Sequence, residues 1–208
     1  MTELRPPTKR QLQAAQTRER MLAAASDVFA GQGYRGATVG AITDAAGTAH
    51  GTFYLYFRNK DDAFTQVLEA VTAQILIHPE IGPDASRRAR TEVMVRSYIG
   101  VLADHPGLYR ALLEGMLQSP TIEEVWLAMR AEFVSRITAG IERVVARGEM
   151  RAVPDSQQAA RALVSMCEWH AFVALGRGHV KPSSADVEQA IDTVSELWTR
   201  ATWGSSES

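Results

Sequence analysis

The chain has 208 residues, nearly half of them apolar and under a quarter charged, with a formal net charge of −2 and one cysteine. That composition excludes a disordered, collagenous or disulfide-stapled chain and fits one large globular domain or two modest ones. Cys167 has no partner for an internal disulfide, no apolar run is long enough to span a bilayer, and the start MTELRPPTKR has no apolar stretch behind it. A cytoplasmic location without membrane contact is therefore expected.

The charge is unevenly spread. Residues 1–60 carry eight Lys/Arg against four acids, and the remainder carries fourteen against twenty, a net of −6. A basic end on an acidic body can approach phosphate with one face only. Ordinary fluctuation in composition is the competing explanation.

Residues 1–10, with Pro6 and Pro7, read as a basic arm without a helix. A helix follows over about 11–30, where Met21, Leu22, Ala25, Val28 and Phe29 recur on one face. Gly31 and Gly33 are expected to end it. Residues 31–36 also fit GxGxxG, but that pattern indicates dinucleotide binding only after a strand, and here it follows an amphipathic helix.

Residues 38–60, TVGAITDAAGTAHGTFYLYFRNK, contain two short helices around a tight turn and then the start of a longer helix. Thr38 is the expected N-cap of the first, Ile42, Ala45 and Ala46 its buried face, and Gly47 its left-handed stop. The second carries Ala49 to Tyr56, with either Ala49 or Thr48 at its cap. Two short helices about a Gly-containing turn form a helix-turn-helix, whose second helix enters the DNA major groove.

A helix over about 60–77 buries Phe64, Val67, Leu68, Val71 and Ile75, with Asp61 and Asp62 suited to the positive end of its dipole. Residues 78–84, with two prolines and a glycine, are the best candidate boundary. Helices are then predicted over about 86–103, 106–117, 120–147, 155–175 and 184–203. Their starts are marked by Ser119-Pro120, by Asp155 with Gln158, and by Ser183 with Asp186. Gly148 and the Gly176-Arg177-Gly178 run act as stops. No strand pattern is present, so the fold class is all-α with about nine helices: an N-terminal three-helix head at 1–60 and a helical bundle at 61–208.

The pieces AA…VFA, GY, ATV, AG, GT, YxYF and Lys60, spaced over residues 17–68, resemble the N-terminal domain of TetR-family transcriptional regulators. Three positions depart from the family pattern: Ala49 stands where a capping Ser is usual, Thr43 where a small Ala is usual, and Gly40 weakens its helix. The resemblance implies backbone contacts to DNA from Thr38, Tyr54, Tyr56 and Lys60. On chemical grounds Ala49 and Gly51 let the chain approach base edges, Thr52 can hydrogen-bond bases or phosphate, and His50 is a surface residue on the same helix. Tyr54 either contacts phosphate or packs inward.

The resemblance also implies a small-molecule cavity in the body. Candidates for its wall are Tyr98, Tyr109, Met116, Trp126, Met129, Phe133, Met166, Trp169 and His170, with Cys167 and Glu168 as further polar groups. Aromatics and methionines at helical spacing equally serve plain core packing. Residues 126–129 and 166–169, with the Ser-Glu-Leu-Trp run of the last helix, are similar to the subgroup of repressors that binds flat hydrophobic ligands. In the family the last two helices pair two subunits; here Ala160, Leu163, Val164, Val187, Ile191, Val194, Leu197 and Trp198 supply apolar stripes, some of which serve packing within the chain.

Enzyme chemistry has no support in the sequence. HExxH, Walker, GxSxG and CxxC patterns are missing, and the five histidines lack metal-ligand spacing, so no metal or cofactor is expected. The expected function is a homodimeric repressor released from a palindromic operator by a small hydrophobic or aromatic effector. A helical small-molecule-binding protein with a vestigial head is the alternative.

Overall fold

The computed structural model describes residues 8–75, 85–150, 152–175 and 181–203. Among them are nine helices and no strand: α1 (Lys9–Gly36), α2 (Val39–Ala45), α3 (His50–Phe53), α4 (Lys60–Ile75), α5 (Arg87–Asp104), α6 (Pro106–Met116), α7 (Pro120–Ala146), α8 (Ser156–Leu175) and α9 (Ser184–Trp203). The expected all-α class stands. The expected boundary at 78–84, the stop at 176–178 and residues 1–7 of the expected arm lie outside the described residues.

α1 is longer than predicted at both ends. Thr8 is its N-cap in a capping box: its side chain accepts from Gln11 N at 3.3 Å, and the Gln11 side chain accepts from Thr8 N at 2.8 Å. Residues 8–10 therefore belong to the helix and not to the arm. At the other end the helix passes through Gly31 and turns at Gly33, whose φ of +72° lies in the left-handed region.

The other starts follow local chemistry. Ser119 caps α7 ahead of Pro120, Asp155 accepts from Gln157 N at 2.8 Å and Gln158 N at 3.0 Å, and Ser183 accepts from Asp186 N at 3.2 Å.

Two apolar clusters hold the chain together. The first contains Met21, Phe29, Tyr34, Ile42, Phe53, Phe57 and Phe64, and extends to Leu108, Leu112 and Ile122. It therefore runs across residue 60, joining the helix-turn-helix to α6 and the start of α7. Gly107 permits that approach, because a Cβ there would sit 2.4 Å from the Ala30 carbonyl oxygen. The second cluster packs α5, α7, α8 and α9 around Tyr98, Ile99, Val134, Ile137, Leu163, Val164 and Ile191. Arg88 reaches Asp192 and Glu196, and Arg96 reaches Glu188, so exposed ion pairs also bridge α5 to α9. Such exposed pairs contribute little each.

Candidate nucleic-acid interface and effector cavity

Thr38 caps α2, its hydroxyl accepting from Ala41 N at 3.1 Å, and Gly47 ends it with φ +62°. The buried side of α2 is Ile42, Thr43 and Ala46; Ala45, expected inside, is exposed. Over two turns, positions 42, 43 and 46 face α1, and 45 lies beyond that stripe. Thr43 tolerates burial because its hydroxyl donates to the Val39 and Gly40 carbonyls at 3.1 and 3.0 Å.

α3 has one regular turn, His50–Phe53, continued by turns through Tyr56. Its N-cap is Ala49, which offers no side-chain acceptor; Thr48 does not replace it, and the Thr48 hydroxyl is buried without a partner. Phe53 and Phe57 are buried and anchor the segment. That leaves Thr38, Ala49, His50, Gly51 and Tyr54 exposed, with Thr52 and Tyr56 half-buried. Tyr54 is 56% exposed, with its ring edge-on to His50 and Phe53 at 5.8 and 5.3 Å. Leu55, 77% exposed beside it, was not anticipated.

Lys60 is half-buried. Its ammonium donates to the Tyr34 carbonyl at 2.9 Å and lies 4.4 Å from the centre of the Tyr34 ring. The cation in the first turn of α4 thus ties α4 to the end of α1. Beside it, Asp61 accepts from the Tyr34 hydroxyl and from Ser119 Oγ, the latter at 2.6 Å. One carboxylate thereby joins α1, α4 and the cap of α7. Burial and the Asp61 charge raise the Tyr34 phenol well above its ordinary range. Burial alone would raise Asp62, but the Arg58 backbone N–H, Gln66 and the Arg58 side chain outweigh it and hold the carboxyl low.

A cavity of about 160 Å³ lies between α4, α5, α6 and α7. Tyr98, Tyr109, Trp126, Met129 and Phe133 line it, as does a face of α4 formed by Leu68, Val71, Thr72 and Ile75. The other four nominated residues do not. Met116 packs on the first cluster and Met166 on the second; Trp169 is 62% exposed with its ring against Phe172; His170 is half-buried on α8. The reason is common to three of them: α8 turns Leu163, Val164, Cys167, Glu168 and Ala171 inward, and α8 contributes nothing to this wall. The lining by α4 and by Val101, Leu102, Leu108 and Leu112 was missed, because aliphatic residues around a void read like any core.

Behind the wall, two lining residues, Tyr98 and Arg130, are held by Glu168 of α8. It accepts from Tyr98 OH at 2.8 Å and from Arg130 Nε at 3.1 and 3.2 Å, while Arg130 Nη2 donates to Ser165 Oγ at 2.6 Å. Burial raises the Glu168 carboxyl above its ordinary range, against the opposing pull of Tyr98 and Arg130. Burial, with the Glu168 charge nearby, also pushes the Cys167 thiol up to about 12. That keeps it protonated and unsuited to nucleophilic chemistry.

On α8 and α9, Ala160, Leu163, Val164, Ile191 and Val194 are the part of the apolar stripes that packs within the chain. Val187 and Trp198 are half-buried, and Leu197, Trp169 and Val173 are the exposed apolar residues.

Two sequence profiles match in tandem. That of bacterial regulatory proteins of the tetR family covers residues 21–67, and that of the transcriptional regulator EthR, C-terminal domain, covers residues 91–204, more than half of the chain. The chain belongs to the TetR family. It is 24% identical to the uncharacterized HTH-type transcriptional regulator YvdT of Bacillus subtilis, over 72% of this chain and 78% of that one. It is 27% identical to the HTH-type transcriptional repressor SCO4008 of Streptomyces coelicolor, over 76% and 79%. Among solved structures, a transcriptional regulator from Rhodococcus sp. Rha1 shares the fold with a TM-score of 0.70 at 19% identity, over 89% of this chain and 97% of that one. TetR-family proteins are DNA-binding transcriptional regulators and not enzymes, which sets what this protein does at the coarse level. No described helix is long and apolar enough to cross a membrane.

Proposed function

We propose that the protein is a dimeric repressor, that residues 1–60 seat on the half-sites of a palindromic operator, and that a small hydrophobic or aromatic ligand in the body releases them. The observation that carries this reading is the double duty of α4. Its first turn holds the head through Lys60 and Asp61, and its later turns wall the cavity at Leu68, Val71, Thr72 and Ile75. A ligand that prefers a wider cavity displaces α4, and the head moves with it; the shift it causes equals its differential affinity for the two states. The relative SCO4008 is named a repressor, which supports the sign of regulation.

Tyr54 is assigned to phosphate because it is 56% exposed, carries a hydroxyl, and has its ring braced by Phe53. Thr38, Ala49, His50, Gly51, Thr52 and Tyr56 share the neighbouring surface. Pairing is assigned to the outward faces of α8 and α9, with Trp169, Val173 and Leu197 at the contact. The test is a gel shift or anisotropy titration against the protein's own upstream region. Tyr54→Ala, at an exposed position, should leave the melting temperature unchanged and weaken binding about five- to tenfold, the worth of one or two hydrogen bonds. Full binding by the variant would remove Tyr54 from the interface, and no binding by the wild type would favour the vestigial-head alternative.

A further inference from the structure

We propose that the inner cavity and the open groove beyond Phe133 form one continuous site, and that its ligand is an amphiphilic organic anion: apolar body inside, carboxylate or phosphate outside among arginines. This rests on the reading of the inner cavity as the effector site.

The groove, about 910 Å³, lies between α5, α7 and α9. Its floor is apolar, including Met94, Ile141, Val144 and Trp198, and among the described residues its charged lining is Arg90, Arg136, Arg143 and Arg147, without a carboxylate. The body beyond residue 60 is acidic overall, so four arginines around one apolar floor run against the composition. Arg136 and Arg147 meet acids only in exposed pairs. Glu132 pairs with Arg136 at 2.9 Å and Glu149 with Arg147 at 3.7 Å, with both members of each pair exposed by more than a third. Arg143 donates its Nε–H to the Ala139 carbonyl at 3.1 Å, and Arg90 donates to the Ala85 carbonyl at 3.2 Å.

Phe133 is the partition between the two spaces. It lines the cavity, the groove and a third void of about 10 Å³ that it shares with Met94, Tyr98 and Ile137. Its ring centre is 4.8 Å from that of Tyr98, and the pair closes the inner end. A void beside a side chain forfeits dispersion contacts there, so the partition is held less firmly than the core around it.

The inner cavity by itself has room for about one benzene-sized group. Any larger ligand has to extend, and the groove is where the lining continues. An anionic head is served there and not inside, because Arg130, the guanidinium in the inner wall, is already bound to Glu168. Carboxylates and phosphates are the anions that guanidinium groups bind in pairs of parallel hydrogen bonds.

The experiment titrates full-length protein with decanoate, decyl phosphate and decanol, followed by calorimetry and by the fluorescence of Trp126 and Trp198, which lie one in each space. The two anions should bind about tenfold tighter than the alcohol, the gain of a charge-assisted contact. Arg143→Glu with Arg147→Glu, both exposed, should erase that preference and leave decanol binding as it was. Whichever anion binds tighter identifies the head group. Equal affinity for anion and alcohol in the wild type overturns the groove half while leaving the cavity reading intact. Failure of all three probes to bind overturns both. If the double variant instead shifts the association state, by light scattering without ligand, a second copy covers the groove and the proposal fails.

Discussion

Glu168 is the residue whose surroundings decide most about the body. It is buried, and its charge is balanced by one guanidinium and one phenol. Arg130→Met would keep much of the side-chain volume and remove that balance, leaving a buried carboxylate with a single donor. The expected cost is about 3 kcal/mol at neutral pH. The pH dependence follows from the direction of the shift. The native carboxyl is already raised, so the folded state holds its proton more tightly than the unfolded chain. Its contribution is full below the ordinary carboxylate range and is lost as pH rises through the raised value. Removing Arg130 raises the carboxyl further. The deficit of the variant should therefore be largest at about pH 7.5 and shrink toward about pH 5 in urea melts; equal deficits at both would mean the damage is lost packing alone. This network was only half legible in the sequence. Glu168 stood out as a polar residue on an apolar helix, but its partners lie 70 and 38 positions away, and no local pattern encodes such distances.

At the scale of elements, caps were readable and long-range anchors were not. Thr38, Ser119, Asp155 and Ser183 bind backbone groups two or three residues on, so their type and spacing carry the information. Lys60 is nameable from the sequence as a candidate DNA-backbone contact, but the Tyr34 carbonyl that holds it is 26 residues back. The node it shares with Asp61 makes α4 rigidly continuous with the head. Asp61→Asn should weaken the bonds to Tyr34 and Ser119 and cost about 1–2 kcal/mol. Native-state hydrogen exchange should then rise at the end of α1 and in the first turns of α4 and α7, and remain unchanged in α8. A uniform rise along the chain would mean that α4 is held by its packing and that the carboxylate is incidental.

At the scale of the molecule, the all-α class and the helix order are legible because amphipathic periodicity, caps and stop residues recur along the chain. The division of apolar residues between core and outer surface is not. Leu163 and Trp169 lie on the same helix and are equally apolar, yet one is buried and the other is 62% exposed. Their difference depends on where α5 and α9 pack. The exposed set, Trp169, Val173 and Leu197, is the pairing surface proposed above, and the effect of that proposed pairing on DNA binding can be stated numerically. A head that neutralises Z phosphates gives a slope of log K against log salt of about −0.9Z, and a dimer on two half-sites doubles Z. Trp169→Glu places a charge on that surface at a side chain that is 62% exposed and touches Phe172 on one side. The variant should stay folded, sediment as a monomer, and bind operator DNA with roughly half the wild-type salt slope and at least about a hundredfold weaker at moderate salt. A variant that stays dimeric would move the pairing surface off α8. A monomer with the full slope would mean that one copy makes all the phosphate contacts, and the two-fold arrangement would have no part in recognition.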